Sequence, residues 1–288
     1  MQESLLSTVV LPLALGVIML GLGLSLTIAD FTRVVKYPRA VLIGLTCQMI
    51  VLPLICFFIA RLFHLSPELA VGLMLLAASP GGPTANLFSH LANGDVALNI
   101  TLTAINSVLT LFSLPFIVGL SMNYFMGESL AITMPFDKII SVFSIVLIPV
   151  AIGMTIYRFA PSVSEKLKKP VKTASAILLL LVIIAAIVKD REVLTEYFAQ
   201  IGFAALTFNL ASLLGGYFIP RALKIEKRQA TAIGMEIGIH NGTLAIYIAL
   251  AVLNNSVMSV PPAIYSILMF FTAGAFVYFI NRKSAVMA

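Results

Sequence analysis

Long apolar runs, separated by short polar segments, repeat along the whole chain. Nine of these runs are long enough to cross roughly 30 Å of hydrocarbon as an α-helix, and the segments between them are too short to form a soluble domain. The runs lie at about 5–28, 40–60, 69–92, 96–122, 138–157, 173–188, 199–220, 229–253 and 260–280. The pattern therefore predicts an all-α membrane protein of about nine transmembrane helices, with the lipid bilayer as its solvent.

The composition agrees with that class of protein. Of the 288 residues, 60% are hydrophobic and 10% are charged. The mean hydropathy of +1.06 is not found in water-soluble chains of this length. The net charge of +6 raises the question of an anionic partner such as nucleic acid. Membrane proteins, however, concentrate Lys and Arg in their cytoplasmic loops, so the position of the basic residues has to be considered first.

The basic residues are unevenly distributed between the two sides of the predicted helices. All but four of the 18 Lys and Arg residues lie in the segments that follow spans 1, 5, 7 and 9; the exceptions are Arg61, Lys138, Lys189 and Arg191. Because this excess marks the cytoplasmic side, it predicts a bacterial inner-membrane protein with a periplasmic amino terminus and a cytoplasmic carboxyl terminus. The positive charge then reflects topology, and the sequence indicates neither a nucleic-acid partner nor an obligate protein partner.

The arrangement of the spans predicts an internal repeat. We interpret residues 1–288 as one transporter unit in which residues 5–122 (spans 1–4) and 173–280 (spans 6–9) form two four-helix repeats, separated by a connecting helix at 138–157. A single connecting helix makes the second repeat enter the membrane from the opposite side, so the repeats are inverted. In transporters of this kind, substrate and ion sites lie near the midplane, where corresponding helices are broken.

The third span of each repeat contains such an interruption. The first has two prolines and two glycines in the run 79–86, and the second has the polar, glycine-rich run 236–242. Backbone groups freed from a helix at membrane depth must face protein, ions or a water-filled cavity, so two breaks favour a cavity. A proline kink is the alternative for the first run, and helix packing through Gly234, Gly238 and Gly242 is the alternative for the second.

Glu236 is the only acidic residue well inside a predicted span, and no Lys or Arg lies at comparable depth. A buried carboxylate needs a cation or a proton, so Na⁺ and H⁺ are both candidates, and a protonated Glu236 hydrogen-bonded in the core is a third alternative. Sodium takes several oxygen ligands, by analogy with calcium. Gln48 and Asn86 supply amide oxygens, and Asn99 and Thr103 share one helix face at i, i+4 spacing. These residues are candidate sodium ligands, although each alone is also typical of an interhelical hydrogen bond.

The remaining polar groups give no sign of catalysis. His240 could ligate a metal, relay protons or form a hydrogen bond, but His64 and His90 are not spaced to complete a metal site. Phosphate loops, nucleophile elbows and metalloprotease helices are missing from the sequence. An intramembrane enzyme or a receptor-like sensor would need such a constellation or a soluble signalling domain. We therefore expect that the protein is not an enzyme.

Several of these motifs resemble the bile acid:sodium symporter family. The resemblance rests on the runs Pro-Gly-Gly-Pro-Thr-Ala-Asn at 80–86 and Glu-Ile-Gly-Ile-His-Asn at 236–241, supported by Gln48 and by the runs 21–24 and 93–98 in the same order and spacing. It covers the whole length of the chain. It implies a sodium symporter with a panel domain and a core domain, in which the two broken helices cross in the core near two sodium ions. Substrate would bind between the domains.

The resemblance also implies ligands for each sodium ion. By position, the first site would consist of Ala85, Asn86, Asn99, Thr103 and Glu236. Ala85 stands where relatives often have serine, so only its carbonyl would serve. The second site would consist of Gln48, Glu236, the carbonyls of Ile237 and Ile239, and His240, where relatives commonly have glutamine. Because an imidazole nitrogen is a poorer partner for Na⁺ than an amide oxygen, the stoichiometry could be one sodium ion.

The substrate of such a symporter would be a small organic anion, either bile acid-like or a metabolite acid such as pantoate. Pro83, Thr84 and Asn241 are the candidate substrate contacts. With no cationic side chain at depth, the anion would find positive potential in the bound sodium ions and at the amino-terminal ends of the half-helices. Transport would proceed by alternating access. The alternative is a proton-coupled or uncoupled organic anion carrier in which Glu236 and His240 form the relay.

Overall fold

The structure, a computed structural model, describes residues 9–127, 136–189 and 191–285. Within these ranges the chain is helical apart from short turns, and the only extended pairing is a single bridge between Gly81 and His240. In chain order the helices are α1 (Leu11–Gly23), α2 (Ile28–Thr32), α3 (Pro38–Leu62), α4 (Pro67–Ala78), α5 (Ala85–Leu91), α6 (Val96–Met126), α7 (Phe136–Phe159), α8 (Pro161–Lys189), α9 (Arg191–Ala222), α10 (Lys227–Gly238), α11 (Gly242–Val252) and α12 (Val260–Ala285).

Five helices in the described part of the chain are long and apolar enough to cross a membrane, and the bent pair of α1 and α2 would make a sixth crossing. The five are α3, α6, α7, α9 and α12. The remaining predicted spans coincide with α8 and with two pairs of shorter helices, α4 with α5 and α10 with α11. These helices agree with the predicted all-α membrane class, whereas the count of nine spans, the inverted repeat and the domain division stay predictions.

The first predicted span ends earlier than the apolar pattern indicates. The run 5–28 predicts one continuous helix, of which residues 5–8 lie outside the described residues; α1 ends at Gly23, and the chain bends by 76° into α2. Thr27 caps α2, because its backbone N–H and its hydroxyl both donate to the Asp30 carboxylate at 2.7 Å. Arg33 pairs with the same carboxylate at 2.7 Å. This cluster of polar groups begins a new helix within the tail of the apolar run.

α1 packs along α7 and α8, and glycines allow the backbones to approach closely. A Cβ on Gly153 would lie 2.6 Å from the backbone nitrogen of Leu24, and a Cβ on Gly23 would overlap the carbonyl of Val150. Ser164 Oγ, at the start of α8, donates to the Leu24 carbonyl at 3.1 Å. Small residues at such contacts are typical of membrane helices. The three helices therefore form one packed group.

The other long helices pack around α10 and α11, whose residues 230–238 and 242–247 are all buried. α9 lies along α10, where Gly216 and Gly234 bring the two backbones together. α5 and α6 contact α10, and α12 contacts α11. The interruption between α10 and α11 is therefore enclosed by protein on several sides.

Candidate functional site

The two predicted interruptions are real breaks in the helices, and they contact each other. Six residues separate α4 from α5, and three separate α10 from α11. The Gly82 amide donates to the Ile239 carbonyl at 2.6 Å, and the Asn241 amide donates to the Pro80 carbonyl at 2.9 Å. This antiparallel pairing satisfies backbone groups that neither helix satisfies by itself. The breaks therefore form one junction rather than two separate defects.

The structure excludes the proline kink in the first run, but it shows helix packing by the glycines of the second run. A kink leaves one continuous helix, whereas α4 and α5 are distinct helices, so the first run is not a proline kink. The glycines of the second run do pack helices as well. A Cβ on Gly234 would lie 3.1 Å from the Leu213 carbonyl oxygen, and a Cβ on Gly238 would lie 2.7 Å from Leu213 Cδ1. Close packing against α9 and a break in the chain thus occur together.

Polar side chains from neighbouring helices cap the carbonyls at both breaks. Gln48 Nε2, in α3, donates to the Ser79 carbonyl at 2.8 Å. Asn209 Nδ2 and Tyr265 Oη donate to the Gly238 carbonyl at 3.1 and 3.0 Å. Sequence reasoning identified Gln48 but missed Asn209 and Tyr265, because only the facing helix α10 determines what these two residues contact. The only signal in the sequence that could have indicated these two residues is that each is a polar side chain within an apolar span.

The Glu236 carboxylate is fully buried beside this junction. Thr103 Oγ1 lies 2.6 Å from Oε2, and Asn106 Nδ2 donates to Oε1 at 3.2 Å. The backbone amide of Gly81 also donates to the carboxylate. A Cβ on Gly81 would overlap this carboxylate, so the glycine is what allows the first break to reach Glu236. The carboxylate therefore connects α10, α6 and the first break.

One face of α6 carries the polar groups that meet α10. Asn99, Thr103 and Asn106 follow at i, i+4 and i+7, and all three are fully buried. Asn99 Nδ2 donates to the Ala232 carbonyl at 2.8 Å, one turn before Glu236 on α10. The structure thus brings Asn99 and Thr103 to the same interface as Glu236. Asn106 was missed, although its position two turns after Asn99 in an apolar helix could have indicated it.

Four buried amide oxygens around the junction accept no hydrogen bond from the described residues; they are Gln48 Oε1, Asn86 Oδ1, Asn99 Oδ1 and Asn106 Oδ1. A buried acceptor without a partner is unfavourable, and carbonyl-type oxygens are what a hard cation binds. Three of the four belong to the predicted ligand set. Ala85, which also belongs to the predicted first site, is buried at the start of α5 and has no side-chain oxygen. The donor set fits a sodium ion.

The two backbone carbonyls predicted for a second site lie at the second break. Asn241 donates its amide to Pro80, so the Ile237 carbonyl is released from the bond that a continuous helix would give it. The Ile239 carbonyl accepts from Gly82 at 2.6 Å and keeps its second lone pair for another partner. Both carbonyls are therefore compatible with cation binding.

His240 is fully enclosed at the centre of the second break. Its ring stacks on Phe208, with centroids 5.7 Å apart, and meets Tyr265 edge-on at 5.4 Å. Nδ1 lies 3.3 Å from the Ser79 carbonyl; since that oxygen only accepts, the network assigns the hydrogen to Nδ1. Nε2 is buried and has no hydrogen-bond partner among the described residues. In the neutral ring, Nε2 offers a lone pair.

The candidate substrate contacts lie where the second half-helices begin. Pro83 and Thr84 are half-buried and directly precede α5, while Asn241 directly precedes α11. Asn241 Oδ1 accepts from the Leu244 amide at 3.1 Å and caps α11. Its backbone bond to Pro80 joins it to the first break. The three candidates thus belong to the same junction.

Comparisons with known proteins identify the family to which the chain is similar. The chain matches the family described as Sodium Bile acid symporter family over residues 12–197. It is 32% identical over 254 residues to "Uncharacterized sodium-dependent transporter YocS" of Bacillus subtilis, covering 88% of this chain and 77% of that protein. It is 28% identical over 255 residues to "Probable sodium/metabolite cotransporter BASS1, chloroplastic" of Arabidopsis thaliana, covering 88% of this chain and 62% of that protein.

The human protein named "P3 protein" is 32% identical over 225 residues, which cover 78% of this chain and 47% of that protein. The chain therefore spans about half of the human relative and three quarters of the bacterial one. The family match extends over more than half of the chain and includes the first break motif, and it confirms the resemblance to the family. The chain belongs to the Sodium Bile acid symporter family, and it is a sodium-dependent membrane transporter rather than an enzyme.

Proposed function

We propose that this protein couples the inward movement of sodium to the uptake of a small organic anion by alternating access. The observation that carries the proposal is the junction of the two broken helices. There a fully buried carboxylate, Glu236, lies among buried amide oxygens that accept no hydrogen bond from the described residues. A cation is the partner that neutralises the carboxylate and occupies those lone pairs at the same time.

Sodium would bind at two sets of groups. The first set comprises Asn86, Asn99, Thr103 and Glu236, with the Ala85 carbonyl. The second set comprises Gln48, Glu236, the Ile237 and Ile239 carbonyls, and His240. Because the ligands come from both breaks, bound ions would favour the conformation in which the breaks are joined. Differential stabilisation of two conformations is what links an ion gradient to transport.

The anion would bind beside the ions, at Pro83, Thr84 and Asn241. α11 begins immediately after Asn241, and the amino end of a helix carries roughly half a positive charge. No Lys or Arg contributes to the junction described above, so the attraction for an anion comes from sodium and from the helix end. Sodium binding would therefore precede substrate binding. The names of the relatives mention metabolites and the family description mentions bile acid, which supports both substrate classes.

The membrane arrangement of the proposal follows the sequence pattern. We infer nine spans in two inverted repeats, a periplasmic amino terminus and a cytoplasmic carboxyl terminus in a bacterial inner membrane. α1, α7 and α8 would form the panel domain, since they pack on one another, and the helices around α10 and α11 would form the core domain. Substrate would lie between these two groups. Their relative movement would expose the junction to each side in turn.

Proton coupling is the second candidate, and the Thr103 hydroxyl is the observation that favours it. Thr103 Oγ1 lies 3.0 Å from the Asn99 carbonyl and 2.6 Å from Glu236 Oε2, yet it has one hydrogen to donate. When that hydrogen goes to Asn99, the short contact requires a proton on Glu236. His240 Nε2 is then available as a second proton acceptor. Proton-driven uptake without sodium would follow from this arrangement.

Reconstituted proteoliposomes separate the two candidates. Uptake of labelled taurocholate or pantoate is measured under an inward Na⁺ gradient, and under a pH jump with choline in place of sodium. We expect sodium to drive uptake and Glu236→Ala to abolish it. Glu68→Gln, which changes the acidic residue in the first turn of α4, is the matched control and should transport normally. Uptake that is indifferent to sodium but follows the pH jump would refute sodium coupling.

A further inference from the structure

We propose that Asn106 is a sodium ligand at the Glu236 carboxylate, an assignment that rests on the proposed sodium coupling. Asn106 belongs to none of the motifs that indicated the ion site in the sequence. It lies on α6, three residues after Thr103, and its side chain is fully buried. Its two polar atoms are in different situations: Nδ2 donates to Glu236 Oε1 at 3.2 Å, whereas Oδ1 is buried without a hydrogen-bond partner.

The unpartnered oxygen is what points to an ion. Leaving a buried amide oxygen without a partner is unfavourable, and an asparagine that only had to hold Glu236 in place would gain nothing from it. Rotation of the amide by 180° exchanges Oδ1 and Nδ2, two atoms that the hydrogen-bond network alone distinguishes. The amide can therefore donate to Glu236, or share a cation with it through Oδ1. Both arrangements keep the backbone of α6 and the χ1 angle of Asn106 unchanged.

The rest of the donor set leaves room for this ligand. Hard cations take about six or more oxygens where these are available. Ala85 brings no side-chain oxygen to the start of α5, and Thr103 Oγ1 is shared between Glu236 and the Asn99 carbonyl. Asn106 supplies an amide oxygen on the same polar face of α6 as Asn99 and Thr103. It is the one member of that face that contacts Glu236 and also keeps an unused acceptor.

The test uses the purified full-length protein and Na⁺ alone, with no organic substrate. Thermal unfolding is followed as NaCl replaces choline chloride at constant ionic strength, and the half-saturating sodium concentration is read from the shift in melting temperature. We compare wild type, Asn106→Leu, which removes both polar atoms at similar volume, and Asn106→Asp, which keeps an oxygen and removes the N–H donor. Thr110→Val, one turn further along α6 and buried beside apolar residues, is the matched control.

A sodium ligand predicts a specific pattern. Because it removes the Nδ2 donor to Glu236, Asn106→Leu should melt below wild type in choline, and it should also raise the half-saturating sodium concentration at least tenfold. Asn106→Asp should still be stabilised by sodium, with half-saturation within about threefold of wild type, and Thr110→Val should match wild type. If Asn106 only positions Glu236, or if buried water satisfies its oxygen, Asn106→Leu and Asn106→Asp should each lose the same stability in NaCl as in choline chloride. That outcome overturns the assignment.

The two levels of inference fail in different ways. If sodium does not stabilise the wild-type protein, sodium coupling itself is wrong. Sodium coupling stands if sodium stabilises wild type and Thr110→Val but has no effect on Glu236→Gln. If Asn106→Leu is then stabilised at the same sodium concentration as wild type, the role of Asn106 is wrong. Replacing Na⁺ by Li⁺ or K⁺ in the same titration adds a second readout. Asn106→Asp should change the order of preference among these ions, since it replaces a neutral ligand by a charged one.

Discussion

The close approach of the first break to Glu236 gives the sharpest mutational prediction, Gly81→Ala. A Cβ at position 81 would lie 2.7 Å from Glu236 Oε2 and closer still to Oε1 and Cδ. The only glycine with positive φ among the described residues is Gly127, so alanine fits the backbone conformation at position 81. The effect of the substitution is therefore steric: the carboxylate has to move, or the break has to withdraw from it.

The size of the effect follows from the contacts that the carboxylate makes. Hydrogen bonds to charged groups are worth about 1.5–3 kcal/mol each, and Glu236 would be displaced from Thr103 at 2.6 Å and from the Gly81 amide. If one such bond is lost in the sodium-bound state but not in the sodium-free state, the apparent sodium affinity falls roughly 10- to 100-fold, at about 1.4 kcal/mol per factor of ten. Gly81→Ala should therefore fold but bind sodium weakly.

The assay is the half-saturating sodium concentration for anion uptake, with the melting temperature in choline as a check of folding. Gly274→Ala in α12 is the control, because a Cβ at that position has no atom within 4 Å. It should leave sodium affinity unchanged and can raise stability by about 1 kcal/mol through helix propensity. If folded Gly81→Ala shows wild-type sodium affinity, the carboxylate held against the first break is not part of the ion site.

Two further substitutions test the groups around the second break. Tyr265→Phe removes one of the two donors to the Gly238 carbonyl, which should lower the free energy of unfolding by about 0.5–1.5 kcal/mol; thermal unfolding in choline measures this, and an unchanged melting temperature would mean that Asn209 alone suffices. His240→Gln replaces an imidazole nitrogen by an amide oxygen at the proposed second ion site. It should lower the sodium concentration needed for half-maximal uptake, and an unchanged value would remove His240 from that site.

The breaks and the buried acid could be predicted from the sequence because they violate the chemistry of the bilayer. Two prolines within 79–86 cannot continue a hydrogen-bonded helix, and Glu236 in an apolar run needs a partner. Such signals are local, since each is visible within a few residues. The pairing of Gly82 with Ile239 across the junction was not predictable in the same way, because it depends on how two distant segments cross.

The groups that sequence reasoning missed share a different property. Asn106, Asn209 and Tyr265 each look like an ordinary polar residue in a membrane helix, and only the facing helix determines what they contact. The early end of α1 was missed for a related reason. Thr27 and Asp30 are a strong helix start, but they follow an apolar run without a proline or a change of composition, so hydropathy alone extends the first span through them.

The main-chain pairing of the two breaks has a consequence for how this transporter can diversify. The bonds from Gly82 to Ile239 and from Asn241 to Pro80 use backbone atoms alone, so a new side chain at position 240 would change the proposed second sodium site while the crossing keeps its shape. Under that proposal, single substitutions can change the ion preference. The backbone crossing should tolerate such substitutions. The exceptions are Gly81 and Gly82, where an added Cβ would clash with the opposite segment.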